Sequence, residues 1–236
     1  MFSDIQHLFA NQYVLLAMTF AIYYYLRRLQ RRTGWVLLSP ILITIVIVIL
    51  YLKLTGVSFE TYKESGALIE FWLKPAVVAL GVPLYLQLKA IRRLLLPILL
   101  SQVVGCVVGV VSVVLVAQLL GATPVVIISL ASKSVTTPIA MEVTSAVGGM
   151  PSLTAAVVVV TGIIGSIFGF RVLAFGRVGS PVAQGLSMGT AAHAVGTSTA
   201  MERSQRYGAY ASLGITLNGL LTALLTPTIL RIMGLI

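Results

Sequence analysis

Long apolar runs separated by short polar clusters are the dominant pattern of this chain. Six runs approach the roughly 20 apolar residues that a helix needs to cross a bilayer, and they cover about 8–26, 35–54, 71–88, 94–120, 152–170 and 208–232. The runs are continuous and do not alternate every second residue, so they predict helices and not the strands of a barrel. We therefore expect an all-α, polytopic membrane protein with about six transmembrane helices.

Two further segments, residues 123–149 and 181–206, do not fit as plain spans. Each has an apolar run of about ten residues, a polar break and a second short run. Ten helical residues rise about 15 Å, which is half of the roughly 30 Å of hydrocarbon in a bilayer. Each run can therefore reach the middle of the membrane without crossing it.

These two segments are related in sequence. Lys133-Ser-Val-Thr-Thr-Pro-Ile-Ala-Met-Glu142 aligns without gaps to His193-Ala-Val-Gly-Thr-Ser-Thr-Ala-Met-Glu202, with identity at the Val, Thr, Ala, Met and Glu positions. The similarity indicates an internal repeat. We expect an N-terminal four-span scaffold region at 1–120, followed by a transport region at 121–236. The first repeat would cover 121–170 and the second 179–232.

The net charge of +10 bears on orientation. The basic residues stand in short clusters between apolar runs, which is the positive-inside pattern of membrane proteins, and nucleic-acid binding is disfavoured. If both broken segments are hairpins, one side of the membrane receives Arg27, Arg28, Arg31, Arg32, Lys89, Arg92, Arg93, Arg171, Arg177, Arg203 and Arg206. The charge rule thus favours re-entrant hairpins and inverted repeats. Broken helices that cross the membrane remain the alternative, because the rule is a tendency.

The polar breaks are the candidate site. Thr136 and Thr137 precede Pro138, and a Thr cap followed by Pro is a strong start signal for a helix. In the second break Thr197, Ser198 and Thr199 would do the same without a proline. Two helix N-termini that face one polar cavity would attract an anion. The hydroxyls of Ser134, Thr136, Thr137, Thr197, Ser198 and Thr199 could bind a carboxylate or a hydroxyl, or could merely cap the helices.

Lys133 is the only basic residue between Arg93 and Arg171. A cation near the middle of a membrane is costly unless it is paired, so a substrate carboxylate is the favoured partner. Pairing with Glu142, or with the C-terminal end of the preceding half-helix, is the alternative. His193 occupies the matching position and could donate a hydrogen bond, relay a proton or be purely structural.

Glu142 and Glu202 recur at one repeat position. Proton or sodium coupling is one interpretation, and surface placement, which we favour, is the other.

Enzymatic motifs are not found. The chain has two histidines and one cysteine and shows no P-loop, no G-x-S-x-G and no close carboxylate pair on one helix face. The sequence predicts no enzyme, no metal site and no cofactor.

Three motifs resemble the LrgB/CidB family. They are Lys133-Ser-Val-Thr-Thr-Pro-Ile-Ala, Pro75-Ala-Val-Val-Ala-Leu-Gly-Val-Pro-Leu-Tyr and Gly189-Thr-Ala-Ala-His-Ala-Val-Gly-Thr. Bacterial members of that family are described as antiholin-like or holin-like membrane proteins that influence murein hydrolases and autolysis. Some relatives, such as the plastid glycolate/glycerate translocator, are associated with small carboxylates. Carried over residue by residue, the resemblance implies a site at Lys133, Ser134, Thr136, Thr137, Pro138, His193, Gly196 and Thr197.

Two functional hypotheses follow. The first is a transporter of small monocarboxylates such as glycolate, glycerate, pyruvate or lactate. The alternative is a holin-like or antiholin-like protein that modulates murein hydrolase activity. The resemblance also implies the bacterial cytoplasmic membrane as location and a separate LrgA/CidA-type membrane protein as partner. A homodimer is a further expectation.

Overall fold

The computed structural model of the protein describes residues 10–33, 40–79, 81–86 and 88–236, and all regular structure in these ranges is helical. The predicted first span begins at residues 8–9 and the second at 35–39, and both of these starts lie outside the described residues. The described residues form two compact units, one up to Ala79 and one from Gly81 onward.

The first unit contains three helices, α1 (Gln12–Thr33), α2 (Pro40–Thr55) and α3 (Phe59–Ala79). Helix α1 packs against both α2 and α3. The hydroxyls of Thr19 on α1 and Tyr62 on α3 lie 3.1 Å apart, a hydrogen bond that fixes the register of these two helices.

The second unit contains the remaining helices and both repeats. They are α4 (Gly81–Leu86), α5 (Leu88–Arg93), α6 (Leu95–Leu119), α7 (Pro124–Ala131), α8 (Thr137–Ala146), α9 (Pro151–Phe175), α10 (Pro181–Arg203) and α11 (Gln205–Ile232). Helices α6, α9 and α11 are long and apolar enough to cross a membrane, by length and composition. They correspond to the predicted spans 94–120, 152–170 and 208–232. The predicted third span, 71–88, is divided among α3, α4 and the first residue of α5.

Helices α7 and α8 of repeat one run antiparallel. Ser132, just after α7, donates to the carbonyl of Ala140 on α8 at 3.1 Å, while Ser129 on α7 accepts from the backbone N–H of Met150 at 2.8 Å. The earlier residue, Ser129, thus contacts the later partner, Met150, and the later residue, Ser132, contacts the earlier partner, Ala140. This order of contacts means that the chain folds back on itself, so repeat one is a helical hairpin. Val147, at the end of α8, packs on the same apolar cluster as Ala117 at the end of α6. The hairpin therefore starts and ends at one end of the unit.

Helix α10 of repeat two is broken in the middle and also folds back. Gly196 in its second half lies against Met188 and Ala192 in its first half. The guanidinium of Arg203, the last residue of α10, stacks 4.5 Å from the ring centre of Phe170 near the end of α9. Since α10 also begins just after α9, both of its ends lie near the end of α9. Repeat two is a second hairpin, and it opens toward the opposite end of the unit from repeat one.

An apolar cluster closes the end of the unit at which repeat one starts. It is formed by Val110, Val114, Ala117, Ile127, Ile128, Ala131 and Leu230, all buried. These residues come from α6, α7 and α11. These side chains form a buried apolar contact between the three helices at this end.

Candidate functional site

The first break lies between α7 and α8, as the sequence predicts. Helix α7 ends at Ala131 and α8 begins at Thr137, with Pro138 as its second residue. Thr136 is the N-cap in extended conformation (φ −64°, ψ 146°), but its side chain makes no capping hydrogen bond. The start signal was therefore located correctly, whereas the predicted capping role of the hydroxyl is not what holds this helix start.

The second break lies earlier than the sequence-based prediction placed it. Ala192 (φ −122°, ψ 16°) and His193 (φ 41°, ψ −133°) have the only non-helical backbone inside α10. These two residues align with Ser132 and Lys133, so the breaks coincide in the repeat alignment. Thr197, Ser198 and Thr199 follow the break and do not begin the half-helix.

The hydroxyls of the second repeat are used inside their own helix. Thr197 Oγ1 donates to the carbonyl of His193 at 2.9 Å, and Thr199 Oγ1 donates to the carbonyl of Val195 at 3.0 Å. Such bonds to the carbonyl four residues earlier are common where a helix has Ser or Thr inside it. Ser198 is exposed. The predicted convergence of these hydroxyls with those of the first break is thus not found.

A cavity of about 640 Å³ lies beside the first break. It follows α6 from Leu94 to Val110 and the first half of α10 from Ser180 to Ala191, and it ends at Lys133 and Ser134. Leu94 directly follows Arg92 and Arg93, so one end of the cavity lies beside basic residues. The other end abuts the apolar cluster, to which Val110 and Ala131 also belong.

Lys133 is the charged group of this cavity. It is half-buried, and its Nζ donates to Ser134 Oγ at 3.2 Å. In the part of the chain that the structure describes, the cavity lining includes no aspartate or glutamate. Lys133 therefore does not pair with Glu142, which lies exposed on α8. Among the described residues, the hydrogen bond of this partly buried ammonium group goes to a neutral hydroxyl, so its charge is left without an opposite charge beside it.

Three residues of the cavity wall were missed by the sequence analysis: Gln102 on α6, Thr190 on α10 and Asn218 on α11. Thr190 Oγ1 lies 2.7 Å from Gln102 Oε1, and Asn218 Nδ2 donates to the carbonyl of Thr190 at 3.0 Å. Asn218 Nδ2 also donates to the carbonyl of Ser134 at 3.1 Å. A polar chain thus runs from Gln102 to the break at Lys133. Gln102 and Asn218 could have been found from the sequence, because a polar side chain inside a long apolar span is a candidate functional position.

The two breaks are each held by a helix of the other repeat. Asn218 on α11, the last helix of repeat two, bonds to the break of repeat one at Ser134. His193, in the break of repeat two, places its Nε2 at 2.8 Å from the carbonyl of Val158 on α9, the last helix of repeat one. Because a carbonyl can only accept, Nε2 is protonated in this contact. This reciprocity supports the internal repeat.

Most of the other predicted site residues lie outside the cavity wall. His193 is 5% exposed, and its ring is packed between α9 and α10. Gly196 has no room for a side chain, because a Cβ there would meet the carbonyl oxygen of Met188. Thr136 and Thr137 are half-buried, and Pro138 is exposed. Glu142, in the middle of α8, and Glu202, near the end of α10, are both exposed and lie outside the cavity wall. Of the predicted residues, Lys133 and Ser134 line the cavity.

Metal binding finds no support in the described ranges, where no group of three or more His, Cys, Asp or Glu could hold an ion. The site therefore offers one cation, two amides and several hydroxyls. An ammonium group, amides and hydroxyls suit a small organic or inorganic anion better than a metal ion.

The described residues are all-helical and include three helices long and apolar enough to cross a membrane, which is typical of a helical membrane protein. The family is settled by comparison: the model of the LrgB-like family matches residues 19–232, and the chain belongs to that family. The resemblance noted from the three motifs is thereby confirmed.

Two relatives illustrate the similarity. YwbG of Bacillus subtilis (strain 168), whose printed name calls it uncharacterized, is 34% identical over 220 residues, covering 93% of this chain and 98% of YwbG. The antiholin-like protein LrgB of Bacillus mycoides (strain KBAB4) is 33% identical over 201 residues, covering 85% and 87%. No solved structure matches the chain. These names support the antiholin-like hypothesis better than the carboxylate hypothesis, since neither mentions a substrate.

Proposed function

We propose that the protein is an antiholin-like component of the bacterial cytoplasmic membrane that restrains autolysis by murein hydrolases. The supporting observation is the match to antiholin-like LrgB along 85% of the chain at 33% identity. The apolar helices α6, α9 and α11 suit a multi-pass protein of the lipid bilayer. A separate LrgA/CidA-type protein is the proposed partner.

The proposed topology follows from charge. We assign the topology from six arginines at the end of the second unit that lies away from the apolar cluster, an end that the positive-inside rule puts in the cytoplasm: Arg92, Arg93, Arg171, Arg177, Arg203 and Arg206. Both hairpins are then re-entrant and inverted, and the apolar cluster closes the outer end. Single cysteines at Arg177, Arg206 and Gly149 in a Cys106→Ala background test this. The first two should react from the cytoplasmic side only, and a cysteine at Gly149 from the outer side only.

The antiholin-like role is tested in a Bacillus cereus strain that lacks its own LrgB. Expression of this chain should slow detergent-induced lysis, followed as loss of turbidity, toward the rate of the parent strain. A Gly189→Leu variant, which should be strongly destabilised because the new side chain meets the backbone of Ala211, is the control. Lysis at the rate of the deletion strain, with the chain present in the membrane, would contradict the proposal.

The cavity supports a second candidate, which is transport of a small monocarboxylate. Its basis is Lys133, whose ammonium lines the cavity without a carboxylate partner among the described residues. A carboxylate there would gain a charge-assisted hydrogen bond in a partly dehydrated setting. The two hypotheses are compatible, because a carrier could influence lysis through the solute that it moves.

The single cysteine of the chain gives a direct test. Cys106 lines the cavity, with its Sγ 3.5 Å from Thr222 Oγ1. A short carboxylate bound at Lys133 should slow alkylation of Cys106 in the purified protein and should enter proteoliposomes with saturable kinetics. Lys133→Met should abolish both effects, whereas Lys53→Met on α2 should preserve them. Leakage of solutes of many sizes without saturation would favour a pore.

A further inference from the structure

Asn218 stands out because its amide orientation is fixed by the fold. Its Nδ2 donates to two carbonyl oxygens, those of Ser134 and Thr190, at 3.1 and 3.0 Å. Carbonyl oxygens can only accept, so the amide nitrogen must face both of them. The Oδ1 atom has no hydrogen-bond partner among the described residues, although Asn218 is 2% exposed and belongs to the cavity wall.

Although the residue is buried as a whole, its Oδ1 is not one of the fully buried side-chain atoms that lack a partner, so this atom can meet a ligand in the cavity. The unused atom here is an acceptor, and it cannot be exchanged for a donor without breaking both bonds to the carbonyls. Gln102 differs, because its contact is the hydroxyl of Thr190, which can donate or accept. Asn218 is therefore the wall residue whose hydrogen-bonding character is determined.

Asn218 and Lys133 both touch Ser134. Lys133 Nζ bonds to the Ser134 hydroxyl, and Asn218 bonds to the Ser134 carbonyl. A small ligand whose carboxylate meets Lys133 thus has Asn218 close by. An acceptor oxygen repels a second carboxylate or a keto oxygen and attracts an O–H group.

We propose that Asn218 is the specificity-determining residue of the cavity, and that it selects carboxylates with a neighbouring hydroxyl over those with a keto group or none. This inference rests on the carboxylate-binding candidate above. The clamp between Ser134 and Thr190 supplies the rigidity, because the amide cannot rotate to suit a keto acid without losing two hydrogen bonds. Discrimination by a positioned polar group is strong when the wrong ligand leaves that group unpaired.

The first test needs no variant and uses lactate, propionate and pyruvate, which share one carbon skeleton. Calorimetric titration of the purified chain should give lactate the lowest dissociation constant, about tenfold below that of propionate, which is the effect of one hydrogen bond. Pyruvate should bind no more tightly than propionate. Pyruvate binding as tightly as lactate, or equal binding of all three, would overturn the inference while leaving carboxylate binding intact.

The second test uses variants. Asn218→Leu should reduce the ratio of the propionate and lactate dissociation constants from about ten to about one. Thr216→Val, on the same helix but exposed and outside the cavity wall, should leave the ratio unchanged. A purely structural role for Asn218 would weaken both acids together, and a ratio that persists in Asn218→Leu contradicts the inference. If no acid binds the wild-type chain, both this inference and the carboxylate candidate fail.

Discussion

The two repeats place a helix break at the same aligned position but hold their hairpins together by different means. Repeat one uses hydroxyls: Thr154 Oγ1 donates toward the carbonyl of Ser129 at 2.8 Å and lies 3.0 Å from Thr144 Oγ1, which in turn lies 3.0 Å from Ser132 Oγ. All four residues are buried. Directional hydrogen bonds therefore link α7, α8 and α9.

Repeat two uses small residues instead. A Cβ at Gly189 would overlap the carbonyl oxygen of Ala211, and one at Gly214 would lie 2.6 Å from the carbonyl oxygen of Leu186. Helices α10 and α11 thus approach to backbone contact, a device typical of membrane helices. Gly189 aligns with Ser129. The same repeat position therefore carries a hydroxyl side chain in repeat one and has no side chain in repeat two.

The two breaks also differ in where their aligned residues, Lys133 and His193, are directed. The break of repeat one presents Lys133 to the cavity, whereas the break of repeat two turns His193 inward to Val158. One break is thus available to a ligand, and its counterpart is committed to the fold. An internal repeat need not supply two equivalent half-sites.

The largest expected effect comes from filling the glycine contact of repeat two. Gly189→Leu should lower the free energy of unfolding by about 3 kcal/mol or more, because the added atoms meet backbone that cannot move alone. Unfolding of the purified protein in mixed micelles of increasing denaturing detergent measures this. Gly109→Ala on α6, where a Cβ meets nothing within 4 Å, is the control and should be neutral or slightly stabilising. Equal tolerance of both changes would contradict backbone contact at Gly189.

A double-mutant cycle sharpens the role of His193. A Cβ at Gly162 would lie 2.5 Å from His193 Cε1, so Gly162→Ala should cost about 2 kcal/mol in the wild-type chain. In a His193→Ala background that cost should fall by at least about 1 kcal/mol, because the ring is gone. Additive effects in the same unfolding assay would show that His193 does not occupy this position.

The hydroxyl network of repeat one should respond to loss of a single donor. Thr154→Val keeps the shape but leaves the Ser129 carbonyl and the Thr144 hydroxyl short of a partner, with an expected cost of about 1–2 kcal/mol. Thr216→Val on α11 removes an exposed hydroxyl that bonds to Ser212 at 2.8 Å, and it should stay within about 0.5 kcal/mol of wild type. A neutral Thr154→Val would indicate that packing alone holds repeat one.

The smallest effect on stability is expected at Lys133. Lys133→Met should change the free energy of unfolding by less than about 0.5 kcal/mol, since among the described residues the ammonium group bonds to the Ser134 hydroxyl and to no carboxylate. Protection of Cys106 by carboxylates should nevertheless be lost. A large loss of stability in Lys133→Met would show that this residue is structural, as His193 is.

Much of the second unit was predictable. The helix start at Thr137 and Pro138, the spans that became α6, α9 and α11, and the place of Lys133 at a break all followed from local signals. The second break was placed too late, because Thr197, Ser198 and Thr199 imitate a cap while their hydroxyls bond within the helix. The break at His193 requires a positive φ at this residue, and no local sequence motif indicates such a conformation there.

Sequence by itself determined the helical class and the isolated position of Lys133 between Arg93 and Arg171, and it predicted the repeat, because hydrophobic length, residue identity and charge are properties of the chain. Only the tertiary structure decided which residues share the cavity. Gln102, Thr190 and Asn218 are far apart along the chain and meet because α6, α10 and α11 pack together. The same packing turned His193 inward and left Lys133 facing the cavity, since each break is fixed by a helix of the other repeat.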